Sequence, residues 1–148
     1  MKTPLILRED HPYKDGRECN VCGVFKLASE FQLERDEKAR GGVSLRAQCK
    51  PCREHIKWKA FIVRTYGITA EQYYEMLDEQ EGKCAICKSD SPNSERIESG
   101  KLFIDHCHDT QKVRGLLCAK CNFGIGYLND DVNLLQSAIE YINSSKEK

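Results

Sequence analysis

Long hydrophobic runs are missing from this 148-residue sequence. Near the start, Leu5, Ile6 and Leu7 form an apolar run of only three residues. A signal-peptide core needs about 7–15 such residues and a membrane span roughly 20, so neither is expected from this run and a cytoplasmic protein without a membrane partner is expected. Net charge is missing too, because 23 Lys/Arg balance 23 Asp/Glu. No internal repeat appears beyond a duplicated cysteine layout. With 40% apolar and 31% charged residues, the chain reads as globular rather than disordered, forming one domain or two very small ones.

Cysteine is abundant instead. Eight of the nine cysteines fall into four Cys-x-x-Cys pairs: Cys19/Cys22, Cys49/Cys52, Cys84/Cys87 and Cys118/Cys121. In a reducing compartment this spacing reads as zinc before disulfide. Each such turn presents two thiolates to one ion, and two turns complete a tetrahedron. The stretches enclosed by the first two and the last two pairs, 26 and 30 residues long, have room for a β-hairpin or a hairpin plus helix. A redox pair, an iron centre or one site built across the two halves are the competing readings. Redox pairs rarely come in fours, and a thioredoxin-like βαβ context is missing. Two structural Zn2+ sites of four cysteines each are expected, with Cys107 left over.

Charge is distributed unevenly. Residues 1–66 hold 14 Lys/Arg against 9 Asp/Glu, and residues 67–148 hold the reverse, 9 against 14. The positive excess lies mostly in Arg35, Lys38, Arg40, Arg46, Lys50, Arg53, Lys57, Lys59 and Arg64. A basic front half and an acidic, metal-seeking back half suit a polyanion held by one part and cut by the other. Ordinary solvated faces would give the same counts.

Residues 1–18 read as a polar, loosely held arm, and 19–52 as a four-cysteine zinc ribbon with Phe25, Leu27, Phe31 and Leu45 as its core. A basic amphipathic linker helix is expected over 53–66, beginning near Pro51. Its Trp58 packs rather than stacks on a base. His11 is expected at the surface, and His55 outside an already complete first site. Gly67 ends the linker helix. Thr69-x-x-Gln72 forms a capping box for the next helix, with Ile68 and Tyr73 as a hydrophobic staple and Tyr73, Tyr74 and Leu77 as its apolar stripe. Residues 88–100 read as a flexible loop, 102–104 and 113–117 as strands around a turn at 110–112. From Cys118 a helix interrupted by Gly124 and Gly126 should follow. A last helix, capped by Asp130 or Asp131, should turn Leu135, Ala138, Ile139 and Ile142 inward. The tail from 144 is expected to fray.

The chemistry concentrates at Asp105-His106-Cys107-His108. Zinc held by the second set of cysteines would clamp the first strand to the start of the helix, bringing Asn122 opposite Asp105. A carboxylate and a carboxamide oxygen are hard ligands suited to Mg2+ or Mn2+. Strict strand alternation sets His106 on the opposite face from Asp105. A neutral imidazole there can take a proton from an attacking water. A purely structural cluster of His106, His108 and Cys107 is the competing reading, but it leaves Asp105 and Asn122 unexplained.

These residues carry a resemblance. Lys83-Cys84-x-x-Cys87, Phe103-Ile104-Asp105-His106-Cys107-His108, and the run from Lys112 through Val113-Arg114-Gly115-Leu116-Leu117-Cys118 to Cys121-Asn122 resemble the recombination endonuclease VII family. That family belongs to the HNH, or ββα-metal, nucleases, and the likeness covers about residues 66–148. It implies a small zinc-stabilised α+β fold: an HNH nuclease domain over 67–148, preceded by the zinc ribbon as an accessory module and flanked by helices. It implies structural zinc on Cys84, Cys87, Cys118 and Cys121, the catalytic ion on Asp105 and Asn122, and His106 as general base. His108 would assist at the phosphate and Arg114 would contact the DNA backbone. Arg46, Lys57, Lys59 and Arg64, on the ribbon and linker helix, would hold the duplex. The expected activity is Mg2+-dependent hydrolysis of DNA phosphodiesters, with a possible homodimer for cutting both strands. A phage origin would place the protein in the host cytoplasm. The family often carries a carboxylate where Cys107 stands, and its junction-resolving members have a larger helical region after the nuclease core. A branched-DNA (Holliday junction) resolvase of the same chemistry and a non-catalytic zinc module that binds nucleic acid or a protein remain as alternatives.

Overall fold

A computed structural model describes residues 5–39, 41–89 and 102–144. Arg40, nearly all of the loop expected over 88–100, and the tail beyond Ser144 lie outside those residues. The chain divides into two compact units between Phe61 and Ile62. Among the described residues, no helix is long and apolar enough to cross a membrane.

In the first unit, β1 (Gly16–Glu18) pairs antiparallel with β2 (Phe25–Leu27), and β3 (Phe31–Arg35) with β4 (Val43–Cys49). The helix α1 (Lys50–Tyr66) starts directly after β4 and runs across the division between the units. The buried cluster comprises Phe31 and Leu45 with the ligand cysteines Cys19 and Cys49, edged by Leu7, Ala28, Leu33 and Cys52. Phe25 and Leu27, expected in that core, are instead 58% and 60% exposed. They alternate with Lys26 on a two-stranded ribbon, and the face they share points to water. Burying Phe31 and Leu45 stabilises by about 2–3 kcal/mol each, a small apolar core to which zinc on the four cysteines would add.

The surface position expected for His11 is a correction as well. His11 is 6% exposed, its Nδ1 accepts from the Tyr13 N–H at 3.1 Å, and its own N–H donates to the Arg8 carbonyl at 3.0 Å. A tight turn at this point folds residues 8–14 back on themselves, and Gly16 then enters β1. The Arg17 guanidinium lies 4.5 Å over the Tyr13 ring.

In the second unit, Gly67 ends α1 in a left-handed conformation (φ 68°) with its N–H on Val63. The capping box forms as expected: the Thr69 side chain accepts from the Gln72 N–H at 3.3 Å, and Gln72 Oε1 accepts from the Thr69 N–H at 2.8 Å. It opens α2 (Ala70–Glu79), which buries Tyr73 and leaves Tyr74 44% exposed at the flank of the expected stripe. β5 (Phe103–His106) and β6 (Val113–Leu117) form an antiparallel hairpin, with Gln111 at φ 58° in the turn. α2 packs on β6, and α3 (Ala119–Tyr127) packs on both strands.

Two helix expectations change. α3 runs through Gly124 and Gly126 without a break, because neither adopts a positive φ and a glycine costs a helix only about 1 kcal/mol. α4 (Val132–Ser144) buries none of its residues; Ile139 and Ile142, expected inward, are 52% and 54% exposed. Its cap is Asp131, whose Oδ1 accepts from the N–H groups of Asn133 (2.7 Å) and Leu134 (3.3 Å).

The two units share one plan: a Cys-x-x-Cys turn, an antiparallel hairpin, then a helix carrying the second cysteine pair at its start. Both turns close alike, with the N–H of the fourth residue after the first cysteine (Gly23, Lys88) donating to that cysteine's carbonyl from a left-handed φ.

Candidate metal centres and active site

In each cysteine cluster, the four sulfurs lie within 4.8 Å of one another. Cys87 Sγ and Cys118 Sγ are 3.7 Å apart. A tetrahedron with Zn–S bonds of about 2.3 Å has edges of about 3.8 Å, so the donor set and its spacing suit zinc. Backbone N–H groups of Cys49 and then Cys22 hold the Cys19 thiol down to about 6, while the neighbouring Cys49 sulfur and burial push Cys52 up to about 12. The second cluster repeats the split: the Ser89 hydroxyl holds Cys87 down to about 6, and burial lifts Cys121 to about 12. Without metal each cluster therefore keeps protons that an ion must displace.

The unit that holds the second cluster also has a cleft of about 320 Å³. Asp105, His106, His108 and Asn122 all line it, with Asp130 beside them. Tyr66, Phe103, Ile104, Phe123, Gly126 and Tyr127 form the rest of the wall. Cys118 caps α3 and Cys121 lies in its first turn, so the residue after Cys121 faces the hairpin end. That delivers Asn122, whose N–H is fixed on the Cys118 carbonyl at 3.0 Å.

Strict alternation separates Asp105 from His106, yet both reach the cleft. The register explains it: Asp105 opposes Gly115 while His106 opposes Val113, which leaves Arg114 as an extra residue on β6. Such a bulge bends the strand and re-aims the side chains beside it. The His106 ring stands edge-on to Tyr66 at 5.4 Å and to His108 at 5.0 Å, held between two aromatic partners.

Arg114, assigned to the DNA backbone by resemblance, is held by carboxylates inside the protein. Its Nε donates to Asp105 Oδ2 at 2.7 Å and its Nη2 to Asp105 Oδ1 at 2.9 Å. Nη2 also meets Asp130 Oδ2 at 3.2 Å, and that oxygen is 3.6 Å from His108 Nδ1. The Asp105 carboxylate pushes the Arg114 pKa further above its ordinary value. Cys107 does not line the cleft; it closes the hairpin turn through its N–H to Lys112 (2.8 Å) and its carbonyl to Gln111 (2.7 Å).

The other basic candidates lie elsewhere. Arg46 pairs with Glu34 at 3.1 Å on the β3–β4 hairpin, and Lys57 with Glu54 at 2.6 Å on α1. Lys59 and Arg64 are also on α1, and Arg64, in the same unit as the cleft, does not line it. Sequence reasoning missed Tyr66 and Asp130 as cleft residues. An aromatic in the last turn before Gly67 gives no signal of its role, whereas the doubled aspartate at 130–131 does: one cap needs only one of them.

Residues 59–144 match the family described as Recombination endonuclease VII. The chain belongs to that family. As a member it is a metal-dependent endonuclease, with cysteine clusters suited to zinc. The Gene 59 protein of Mycobacterium phage D29 is 35% identical over 144 residues, covering 95% of this chain and 81% of that protein. The Gene 59 protein of Mycobacterium phage L5 is 33% identical over 129 residues, covering 85% and 73%. The crystal structure of the beta-beta-alpha-Me type II restriction endonuclease Hpy99I matches with 26% identity and a TM-score of 0.36, over 91% of this chain and 68% of that one.

Proposed function

We propose that this member of the endonuclease VII family hydrolyses DNA phosphodiesters with a divalent ion held by Asp105 and Asn122 and a water activated by His106. The observation that carries the reading is the convergence of a carboxylate, a carboxamide and an imidazole on one cleft. Two hard oxygen donors lining one cleft fit Mg2+ or Mn2+ better than the sulfur clusters do. Bound there, the ion would supply positive charge to the phosphate oxygens as the bond breaks.

The imidazole of His106, which lines the cleft, takes the proton from water. Tyr66 and His108, both edge-on to the ring, restrict its turning. His108, exposed at the cleft edge, would meet a phosphate oxygen. Arg46, Lys57, Lys59 and Arg64 supply non-specific affinity for the duplex backbone, which salt should weaken.

Plasmid nicking tests the mechanism. With Mg2+ or Mn2+ present, His106→Ala should lower the nicking rate by about 10²-fold or more at unchanged zinc content. Equal rates in both proteins, or nicking unaffected by removing the divalent ion, would refute it. The family's description as a recombination endonuclease favours branched DNA, so a four-way junction should be cut faster than a linear duplex of the same sequence. One cleft cuts one strand. Val132, Tyr141 and Ile142, exposed on α4, favour a homodimer that would bring up a second.

A further inference from the structure

Asp105 has both carboxylate oxygens engaged by one guanidinium. A carboxylate used in this way has little left for a divalent ion, and a fixed positive charge beside it repels one. Yet Arg114 is not held by Asp105 alone. Asp130 Oδ2, which is enclosed by protein, faces the same Nη2 at 3.2 Å without forming an aligned hydrogen bond. It is a second partner whose bonding capacity is unused while Arg114 lies on Asp105.

The local fold puts that carboxylate there deliberately enough to override backbone preference. After α3, the Asp130 N–H donates to the Ile125 carbonyl and the Asn129 N–H to the Gly126 carbonyl, a Schellman closure. Both Asn129 and Asp130 take left-handed φ values of 55°, which Asn and Asp tolerate better than most residues. The turn swings Asp130 back over the end of α3 toward β6, and Asp131 is left to cap α4.

We propose that Arg114 is a resident counter-cation of the metal-free site and that Asp130 is the positioning residue that receives it when a divalent ion takes Asp105. The guanidinium then moves from a shared position to a full pairing with Asp130. It leaves the Asp105 oxygens but stays at the cleft edge beside His108, where a phosphate would arrive. The two carboxylates of the metal-free site are never left without a positive partner. This inference rests on the reading of Asp105 as an ion ligand.

The test is Mn2+ binding to zinc-loaded protein without DNA, followed by the electron paramagnetic resonance of free Mn2+. Arg114→Met should bind Mn2+ about tenfold more tightly or better, as expected when a positive charge near the ion is removed. Arg114→Lys, which keeps the charge, should stay much closer to the parent. In parallel, the Arg114 Nε–H resonance, identified by its loss in Arg114→Met, should shift on adding Mg2+ and remain protected from solvent exchange. In Asp130→Asn, the same addition should leave it exchanging like a solvated arginine. Unchanged or weaker Mn2+ binding by Arg114→Met, or an Arg114 resonance that ignores saturating Mg2+, overturns the proposal. Asp105→Asn separates the two levels of the argument. If it binds Mn2+ as well as the parent does, the ligand reading itself fails and the inference goes with it. If it does not bind, any failure belongs to Arg114 and Asp130.

Discussion

Replacing Gln80 with methionine should destabilise the second unit by about 2–4 kcal/mol, although Gln80 touches neither metal centre nor cleft. The side chain lies along the outer edge of β6. Its Oε1 accepts from the Leu116 N–H at 2.8 Å, and its Nε2 donates to the carbonyls of Leu116 (2.9 Å) and Lys83 (2.7 Å). One glutamine thus stands in for a third strand at the residue beside Gly115, which opposes Asp105. The three bonds are not equivalent. The Leu116 carbonyl keeps a second donor, the Ala85 N–H at 3.0 Å, so its loss is small. The Leu116 N–H has no such reserve, and Leu116 is fully buried. Orphaning that donor costs about 1–3 kcal/mol, and the two carbonyl bonds add roughly 0.5 each. Methionine preserves the volume, so packing does not confuse the result. With m near 2 kcal/mol/M, the urea midpoint of the zinc-loaded protein should fall by about 1–2 M. Gln136→Ala, whose side chain bonds only Glu140 on an exposed face, should fall by less than about 0.5 kcal/mol. If Gln80→Met behaves like that control, the glutamine is not closing the sheet edge.

Other substitutions test other levels. A Cβ at Gly16 would come 2.1 Å from the Lys26 carbonyl oxygen, so Gly16→Ala should break the β1–β2 ribbon and cost about 3 kcal/mol or more by the same urea titration. Tyr73, buried against the Leu102 carbonyl at 3.1 Å, has its hydroxyl pushed up to about 12 by desolvation. Because the folded value exceeds the unfolded one near 10, this contribution is intact below pH 10 and fades as pH rises toward 12. Tyr73→Phe should therefore be less stable at neutral pH and flatten the alkaline part of the stability profile. Stripping zinc with a strong chelator should abolish the near-ultraviolet circular dichroism of the Phe25- and Phe31-containing unit and of the cleft. Adding back two equivalents of zinc should restore it, and recovery with one would contradict two clusters.

Much of the fold is legible because ligand spacing is a hard constraint. The pairs at 84/87 and 118/121 must meet at one ion, and between them the β-branched and aliphatic runs at 102–104 and 113–117 leave little but a hairpin. That constraint also predicts Asn122 facing the hairpin end. Side-chain burial is less legible wherever an element has only one covered face. Phe25, Leu27, Ile139 and Ile142 look like core by composition, but a two-stranded ribbon and a terminal helix have too few neighbours to cover them.

Within the cleft, the failure of alternation is the instructive one. A period of two sends Asp105 and His106 to opposite faces, and the apolar pattern of β6 does not announce the bulge that brings them together. Gly115 hints at it, since a glycine inside a strand often marks such a site. The adjacent aspartates carry the clearer message. A helix start uses one carboxylate, here Asp131, so a second one in a left-handed conformation has a different occupation. Asp130 faces Arg114 because the Schellman turn reverses the chain there, and that turn is set by backbone bonds to Ile125 and Gly126 rather than by any apolar pattern. Periodicity cannot report such a residue. A surplus of capping groups can, and at 130–131 that surplus marks the edge of the cleft.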